Sequence, residues 1–273
     1  MSDFLYDMAL ERSAANRTAS NMASMHSHPT HELYFLISGQ RRYFVDHTIY
    51  DVAPGNLVFI PKTRLHRTTN PGNKGYDRYV LNFNENGCSS LIEQLTQPVF
   101  QELMNSGCMH LPTDMVYKVQ QDLEQIEQEL SAPTVYTRAV VSHLLQDILL
   151  IALRYGSRKT CCHGENAETI QGVARYICEH YANSITLEEA AQMAHMERTY
   201  FSKRFKALTG FGFWEYVTQT RLTEAERLLS ETDISIGSVA ELCGFSGSNY
   251  FGDVFCRWKG VSPTQYRKQY HKE

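Results

Sequence analysis

Ser235–Gln269, SIGSVAELCGFSGSNYFGDVFCRWKGVSPTQYRKQ, is the stretch whose reading decides the C-terminal fold. A short helix carrying Ile236, Val239 and Ala240 gives way to a turn that opens on Gly244. A second helix with Tyr250, Phe251 and Phe255 follows, and Gly260-Val261-Ser262-Pro263 restarts the chain. Ser262-Pro263-x-Gln265 is a capping box, with proline at the first helical position, where its missing N–H costs nothing. Helix, tight turn and helix in this order form the layout of a helix-turn-helix, whose second helix can lie in a DNA major groove.

The stretch has a twin upstream. Ile185–Tyr216 superposes on Ile234–Tyr266: Ile185 matches Ile234, Leu187 matches Ile236 and Ala191 matches Ala240. After one extra residue in the second copy, Tyr200-Phe201 matches Tyr250-Phe251, Phe205 matches Phe255, Gly210 matches Gly260 and Tyr216 matches Tyr266. An internal repeat of about fifty residues with this many shared core positions marks a duplicated unit. Thr186-x-x-Glu189 caps the first short helix of the twin. His195 stands where the second copy has Gly244, a position less comfortable for a side chain if the backbone is left-handed. Between the copies, Phe213 to Ser230 reads as one long helix with an apolar stripe that runs from Trp214 to Leu229.

These residues resemble the AraC/XylS family of transcription regulators. The matching positions run Leu187…Ala191, Tyr200-Phe201…Phe205-Lys206…Gly210, Phe213…Tyr216…Arg221-Leu222…Ala225…Leu228-Leu229. They continue as Ile236…Val239-Ala240…Gly244-Phe245…Tyr250-Phe251…Phe255 and Gly260…Ser262-Pro263…Tyr266-Arg267. The resemblance implies two recognition helices entering successive major grooves about one helical turn, roughly 34 Å, apart. It places Thr199, Ser202 and Lys203 of the first helix at bases, with Arg198 and Lys206 near phosphates. In the second helix it places Ser248 and Asn249, with Asp253 at a matching position, and Arg257 is counted with the DNA-facing set. Lys203 can donate to guanine O6 and N7, and Asn249 can read adenine in a two-pronged way. Asp253, beside Gly252, departs from the basic residue often found there and is expected to repel phosphate. The first recognition helix is therefore expected to dominate affinity. The resemblance also implies promoter DNA, RNA polymerase and a small effector, most often a sugar, as partners, with activation as the output.

Charge tempers that expectation. The chain carries a net −4, and from Asn166 onward 12 Lys and Arg stand against 13 Asp and Glu. A DNA-binding domain usually draws affinity from phosphate neutralisation, so any positive face here must be local.

Working toward the N-terminus, residues 157–166 read as a polar linker ahead of a helical domain at 167–273. The Cys161-Cys162-His163 tract in it lacks a second cluster to complete a metal site. Residues 89–156 show helical periodicity. Val116, Val119, Leu123, Ile126 and Leu130 repeat at alternating steps of three and four, Pro133 breaks the chain, and a second helix runs to about Tyr155. This pair is either intramolecular core or the seam of a homodimer, and the domain plan takes it as the dimerisation region.

Residues 1–88 read as β structure. Short apolar runs at Leu33–Ile37, Tyr43–Val45, Ile49–Val52, Leu57–Ile60 and Tyr79–Phe83 are separated by turn residues. His26-x-His28-x3-Glu32-x6-Gly39 and Gly55-x5-Pro61-x-Thr63-x2-His66-x3-Asn70 resemble the two cupin motifs, with Thr63 in place of a glycine and a looser turn expected there. The fold class is thus α+β: a cupin-like antiparallel β-barrel (a jelly roll), a helical pair, and an all-α domain with two helix-turn-helix motifs joined by a long helix. In metal-binding cupins the positions of His26, His28, Glu32 and His66 hold one divalent ion, and three imidazoles with a carboxylate suit zinc, iron, manganese or nickel. The alternative is that these side chains line the mouth of a pocket for a small effector, so no cofactor is required. Tyr34, Tyr43, Phe44 and Phe59 are candidate walls or plain core, and Arg41, Arg42, Arg64 and Arg67 could hold an anionic or hydroxylated ligand or simply sit on loops.

Two functions follow from different classes. One is a ligand-responsive transcription regulator, not an enzyme, with His26, His28, Glu32, Tyr34, Arg41 and His66 around the effector. The other is a metal sensor or metalloenzyme that leans wholly on the three histidines and Glu32. Elsewhere the sequence offers no nucleophile–base pair or phosphate loop. The longest apolar run, Ile148–Leu153, is too short to cross a bilayer, and MSDFLYDMALERS lacks a signal-peptide core. Seven irregularly spaced cysteines fit reduced thiols, so a cytoplasmic protein with no membrane partner is expected.

Overall fold

Along β2 (His31–Ser38) the residues from His31 to Leu36 are all buried, so the strand must be covered on both faces. The computed structural model, which describes residues 7–15, 30–71, 75–158 and 164–271, shows what covers it. Two units make up the chain, one formed by Met1–Val45 with Ile49–Cys162 and the other by Asp46–Thr48 with His163–Glu273.

The first unit contains β1 (Met8–Ala15), β2, β3 (Arg41–Val45), β4 (Thr48–Val52), β5 (Asn56–Ile60), β6 (His66–Thr69) and β7 (Tyr76–Phe83). After a 3₁₀ turn at Glu85–Cys88 come α1 (Ser89–Leu95), α2 (Gln97–Met104), β8 (Cys108–His110), α3 (Thr113–Ser131), α4 (Thr137–Tyr155) and β9 (Ser157–Arg158). Among the described residues the strands form a six-stranded sheet, β1-β7-β2-β5-β8-β9, and a three-stranded sheet, β4-β3-β6. The antiparallel expectation holds, but the closed barrel is corrected to two facing sheets that share no hydrogen-bonded ladder.

Side-chain alternation divides the large sheet into two cores. Leu33, Phe35, Leu57, Phe59, Leu81 and Phe83 point to one side and pack with Val119, Leu123, Ile126, Val141, Leu145, Ile148 and Leu149 of α3 and α4. Tyr34, Leu36, Val58, Ile60, Tyr76 and Val80 point to the other and pack with Tyr43, Val45 and Val52 of the small sheet. The apolar stripe of α3 is therefore internal core of this unit and not a free dimer seam, because the sheet already covers it. Lys118 joins the two helices by reaching Asp122 at 2.6 Å and Asp147 at 3.1 Å. Residues 89–156 also supply a strand, β8, which pairs with β5 and β9. Ser157-Arg158, expected as linker, is that β9 strand.

Thr63 adopts φ +65°, the left-handed geometry a glycine would take, so the turn keeps its tight form despite the substitution. Its hydroxyl donates to the Lys62 carbonyl at 2.6 Å.

From Ala167 onward the second unit is all helical: α5 (Ala167–His180), α6 (Leu187–Met193), α7 (Arg198–Thr209), α8 (Phe213–Glu231), α9 (Ile236–Leu242), α10 (Ser248–Lys259) and α11 (Pro263–Tyr270). Both anticipated capping boxes are present, Thr186 with Glu189 and Ser262 with Gln265. The duplication is visible in the packing. Phe201 and Phe205 lie 5.5 Å apart, as do Phe251 and Phe255. Phe205 meets Tyr216 at 5.6 Å, and Phe255 meets Tyr266 at 5.4 Å. Truncating any of these buried phenylalanines to alanine removes about 3–5 kcal/mol. Arg221 of α8 ties the repeat together: it donates to the carbonyls of Tyr181 and Asn183 at 2.8 and 2.9 Å and lies 5.9 Å from the Phe245 ring. Trp214, expected in the apolar stripe of α8, is instead 56% exposed.

Candidate nucleic-acid interface and ligand pocket

Helix α7 presents a polar face because its buried residues are Phe201, Phe205, Leu208 and Thr209, at helical spacing on one side. Arg198, Thr199, Lys203 and Lys206 are exposed and Ser202 is half-buried, so the sequence-predicted set lies on the opposite side. No acidic residue falls within Arg198–Thr209. Glu197 precedes it as the N-cap and accepts from the Thr199 and Tyr200 N–H groups at 2.8 and 3.0 Å. Those two backbone bonds hold its carboxyl below the usual range.

Helix α10 places Ser248, Asn249, Asp253 and Arg257 in solvent, with Gly252 half-buried between them. Its N-cap, Gly247, offers no side chain to the first turn. Lys259 at the far end is engaged with Glu226 of α8. Gly244 (φ +76°) opens the turn before α10, and a Cβ there would lie 2.6 Å from the Ala182 carbonyl oxygen. His195, its counterpart, sits at φ +52°, which a histidine tolerates at a cost.

The second constellation lies between the two sheets of the first unit. Glu32 and Tyr34 of β2 point the same way as Arg78 and Tyr76 of β7, since Tyr34 pairs with Val80 and Leu36 with Arg78. From the small sheet, Tyr43 stacks edge-on to Tyr34 at 4.7 Å and donates its hydroxyl to Glu32 Oε1 at 3.2 Å. His66 Nε2 stands 3.6 Å from Glu32 Oε2, and His66 Nδ1 lies 2.9 Å from the Arg64 carbonyl. Arg41, only 2% exposed, donates to Thr68 Oγ1 at 3.0 Å and lies 4.4 Å over the Tyr76 ring. Arg78 lies 5.6 Å from the centroids of both Tyr34 and Tyr76. Burial pushes the Tyr34 and Tyr43 hydroxyls well above their ordinary ionisation range, so both stay neutral.

Of the predicted pocket residues, Glu32, Tyr34, Arg41 and His66 come together here, while His26 and His28 lie outside the described residues. Arg42 is instead paired with Asp51 at 2.7 Å, Arg64 is exposed, and Phe59 belongs to the helix-facing core. Arg41 and Arg42 also line a cavity of about 300 Å³ with Gln40, Asp51, Val52, Ala53 and Pro71. The sequence reading missed Thr68, Tyr76 and Arg78. The signal for Arg78 was parity: on β7 it alternates with Val80 and Tyr76, both core positions of the inter-sheet side.

Among the described residues no group of three or more His, Cys, Asp or Glu side chains could hold a metal ion. The described half of the proposed metal set, Glu32 and His66, shares its cluster with two guanidinium groups.

Residues 8–149 match the family model of the AraC-like ligand binding domain, and residues 190–269 match that of a helix-turn-helix domain. The chain belongs to the AraC family of transcription regulators. It is similar along nearly its whole length to the HTH-type transcriptional activator RhaR of Enterobacter sp. (strain 638), at 23% identity over 99% of this chain and 96% of that protein. It is 26% identical to the uncharacterized HTH-type transcriptional regulator YisR of Bacillus subtilis (strain 168), over 87% of this chain and 85% of that one. With YijO of Escherichia coli (strain K12) the identity is 32%, but the match spans 56% of this chain and 51% of YijO. Among solved structures, the DNA-binding domain of AdpA in complex with a target DNA is 33% identical, covering 37% of this chain and 92% of that one with a TM-score of 0.37. No helix among the described residues is long and apolar enough to cross a membrane.

Proposed function

We propose that this AraC-family regulator is a transcription activator that binds asymmetric promoter elements and responds to a small molecule held between the two sheets of its first unit. The observation that carries the reading is the pairing of an AraC-like ligand-binding domain with a duplicated helix-turn-helix whose α7 surface is polar and cationic. In this reading Lys203 donates to guanine O6 and N7, Thr199 and Ser202 complete the base contacts, and Arg198 and Lys206 hold phosphates. Asn249 reads adenine, with Ser248 and Arg257 as supporting contacts. Glu32, Tyr34, Arg41 and His66 contact the effector, with His26 and His28 as further candidates.

Regulation requires the effector to bind one of two states of the protein more tightly, since equal affinity would shift nothing. A homodimer, contact with RNA polymerase and control of carbohydrate or small-metabolite genes complete the proposal. Activation is supported by the likeness to a protein named as an activator. The protein needs no catalytic chemistry for this role, and no divalent ion is required by it. Footprinting of the full chain on selected DNA tests the reading. Two protected segments about 10–11 base pairs apart are expected. Binding without sequence preference would overturn it.

A further inference from the structure

Arg41 is the feature that the folded unit does not account for by itself. Its guanidinium is buried, makes no ion pair among the described residues, and leaves Nε and Nη1 without a hydrogen-bond partner. Of the five N–H donors of an arginine, Thr68 takes one on Nη2, so four remain, and they include one complete two-pronged face of the fork. An isolated buried cation is expensive, which is why such groups are normally paired. Two neighbours share the condition. The Tyr34 hydroxyl is buried and without a partner, and so is Nε of Arg78. Arg78 reaches outward to the exposed Glu11 at 3.9 Å, whereas Arg41 has no carboxylate at all within ion-pair distance among the described residues.

The charge balance selects the ligand class. Arg78 already has Glu11 at 3.9 Å, Glu32 accepts from Tyr43 and lies beside His66, and both tyrosines are neutral, which leaves Arg41 as the guanidinium without a counter-charge among the described residues. One further negative charge neutralises the cluster, and a planar carboxylate fits the fork of Arg41 in two-pronged fashion. The Tyr34 hydroxyl can at once donate to and accept from a ligand hydroxyl. Resting on the effector-sensing reading above, we infer that the effector is a hydroxylated monocarboxylate of the sugar-acid type, with its carboxylate on Arg41 and a hydroxyl on Tyr34. A neutral sugar would leave the guanidinium unpaired. A phosphate dianion would overshoot the balance.

Titration calorimetry of the full chain tests this with three panels: hexuronic and aldonic acids, their neutral parent sugars, and the corresponding sugar phosphates. The expected result is binding by at least one acid and none by its neutral parent. Arg41→Met should weaken that binding at least about tenfold. Arg41→Lys, which keeps the charge but not the fork, should weaken it by about tenfold, while Arg154→Met on the exposed end of α4 leaves it unchanged. Melting curves without ligand check folding: Arg41→Met should melt no lower than the parent, because it removes an unpaired buried charge. If that variant fails to fold, Arg41→Lys carries the same comparison. Binding of neutral sugars or phosphates in place of acids overturns the carboxylate assignment but leaves the sensor reading standing. Acid binding that survives Arg41→Met or Arg41→Lys overturns the site. Absence of binding in all three panels overturns the inference and counts against the sensor reading as well.

Discussion

The two helix-turn-helix copies share a skeleton and differ in almost everything they show to solvent. α7 and α10 are both 12 residues long and both end at a left-handed glycine, Gly210 at φ +82° and Gly260 at φ +73°. Three rings of each core match, Phe201, Phe205 and Tyr216 with Phe251, Phe255 and Tyr266. On the outside, α7 carries Arg198, Lys203, Arg204 and Lys206 with no acid, whereas α10 sets Asp253 where α7 has Lys203 and Cys256 where it has Lys206. The inner packing that keeps a helix in place constrains its apolar residues, and the outer face is free to diverge. Duplication therefore preserves the presentation of a recognition helix without preserving what the helix reads.

The turns differ as well, and the largest expected effect lies there. Gly244→Ala forces a side chain into a left-handed backbone and against the Ala182 carbonyl, so it should destabilise the second copy by about 2–3 kcal/mol in denaturant unfolding. A loss below about 0.5 kcal/mol would mean the turn relaxes freely. Next in size is Asp253→Lys, which restores the α7 pattern to α10. It should raise DNA affinity about tenfold and steepen the salt dependence by about one phosphate contact. An unchanged salt slope would remove α10 from the phosphate backbone.

His195→Gly relieves the same left-handed strain that Gly244 avoids. It should stabilise the first copy by about 0.5–1 kcal/mol, read as a rise in the unfolding midpoint. The smallest effect concerns the caps. The Glu197 carboxyl is held below its ordinary range by the amides of α7, so its stabilising contribution is present above the unfolded carboxylate range and is lost as pH falls through the lowered folded value. Hydrogen exchange at the Thr199 and Tyr200 amides should accelerate relative to intrinsic rates as the solution becomes acidic. The first-turn amides of α10, which has no side-chain cap, should show no such change.

How far the sequence could be read differs between the units for a physical reason. The helical unit repeats itself, so Tyr200-Phe201 and Tyr250-Phe251 calibrate each other, and the capping residues Thr186 and Ser262 mark where helices begin. In the first unit the apolar stripe of α3 fits a dimer seam as well as a sheet-covering face, because both bury the same narrow band. Burial on the six-stranded sheet decided between them for this stripe. β1 and β9 escaped notice as edge segments, and β8 because it is three residues long and lies inside a helical stretch. Arg41 was legible as a candidate among four arginines. Its isolation, and the neighbouring Arg78, depend on sheet register, which pairs residues more than 35 positions apart.

The central claim, that the first recognition helix supplies most of the grip on DNA, is tested most directly by titrating Lys203→Ala and Asn249→Ala against the same selected promoter fragment at one salt concentration. Loss of the Lys203 contact should weaken binding by about tenfold to a hundredfold, and loss of Asn249 by several-fold less. A larger loss from Asn249→Ala would contradict the account and make α10 the principal reader.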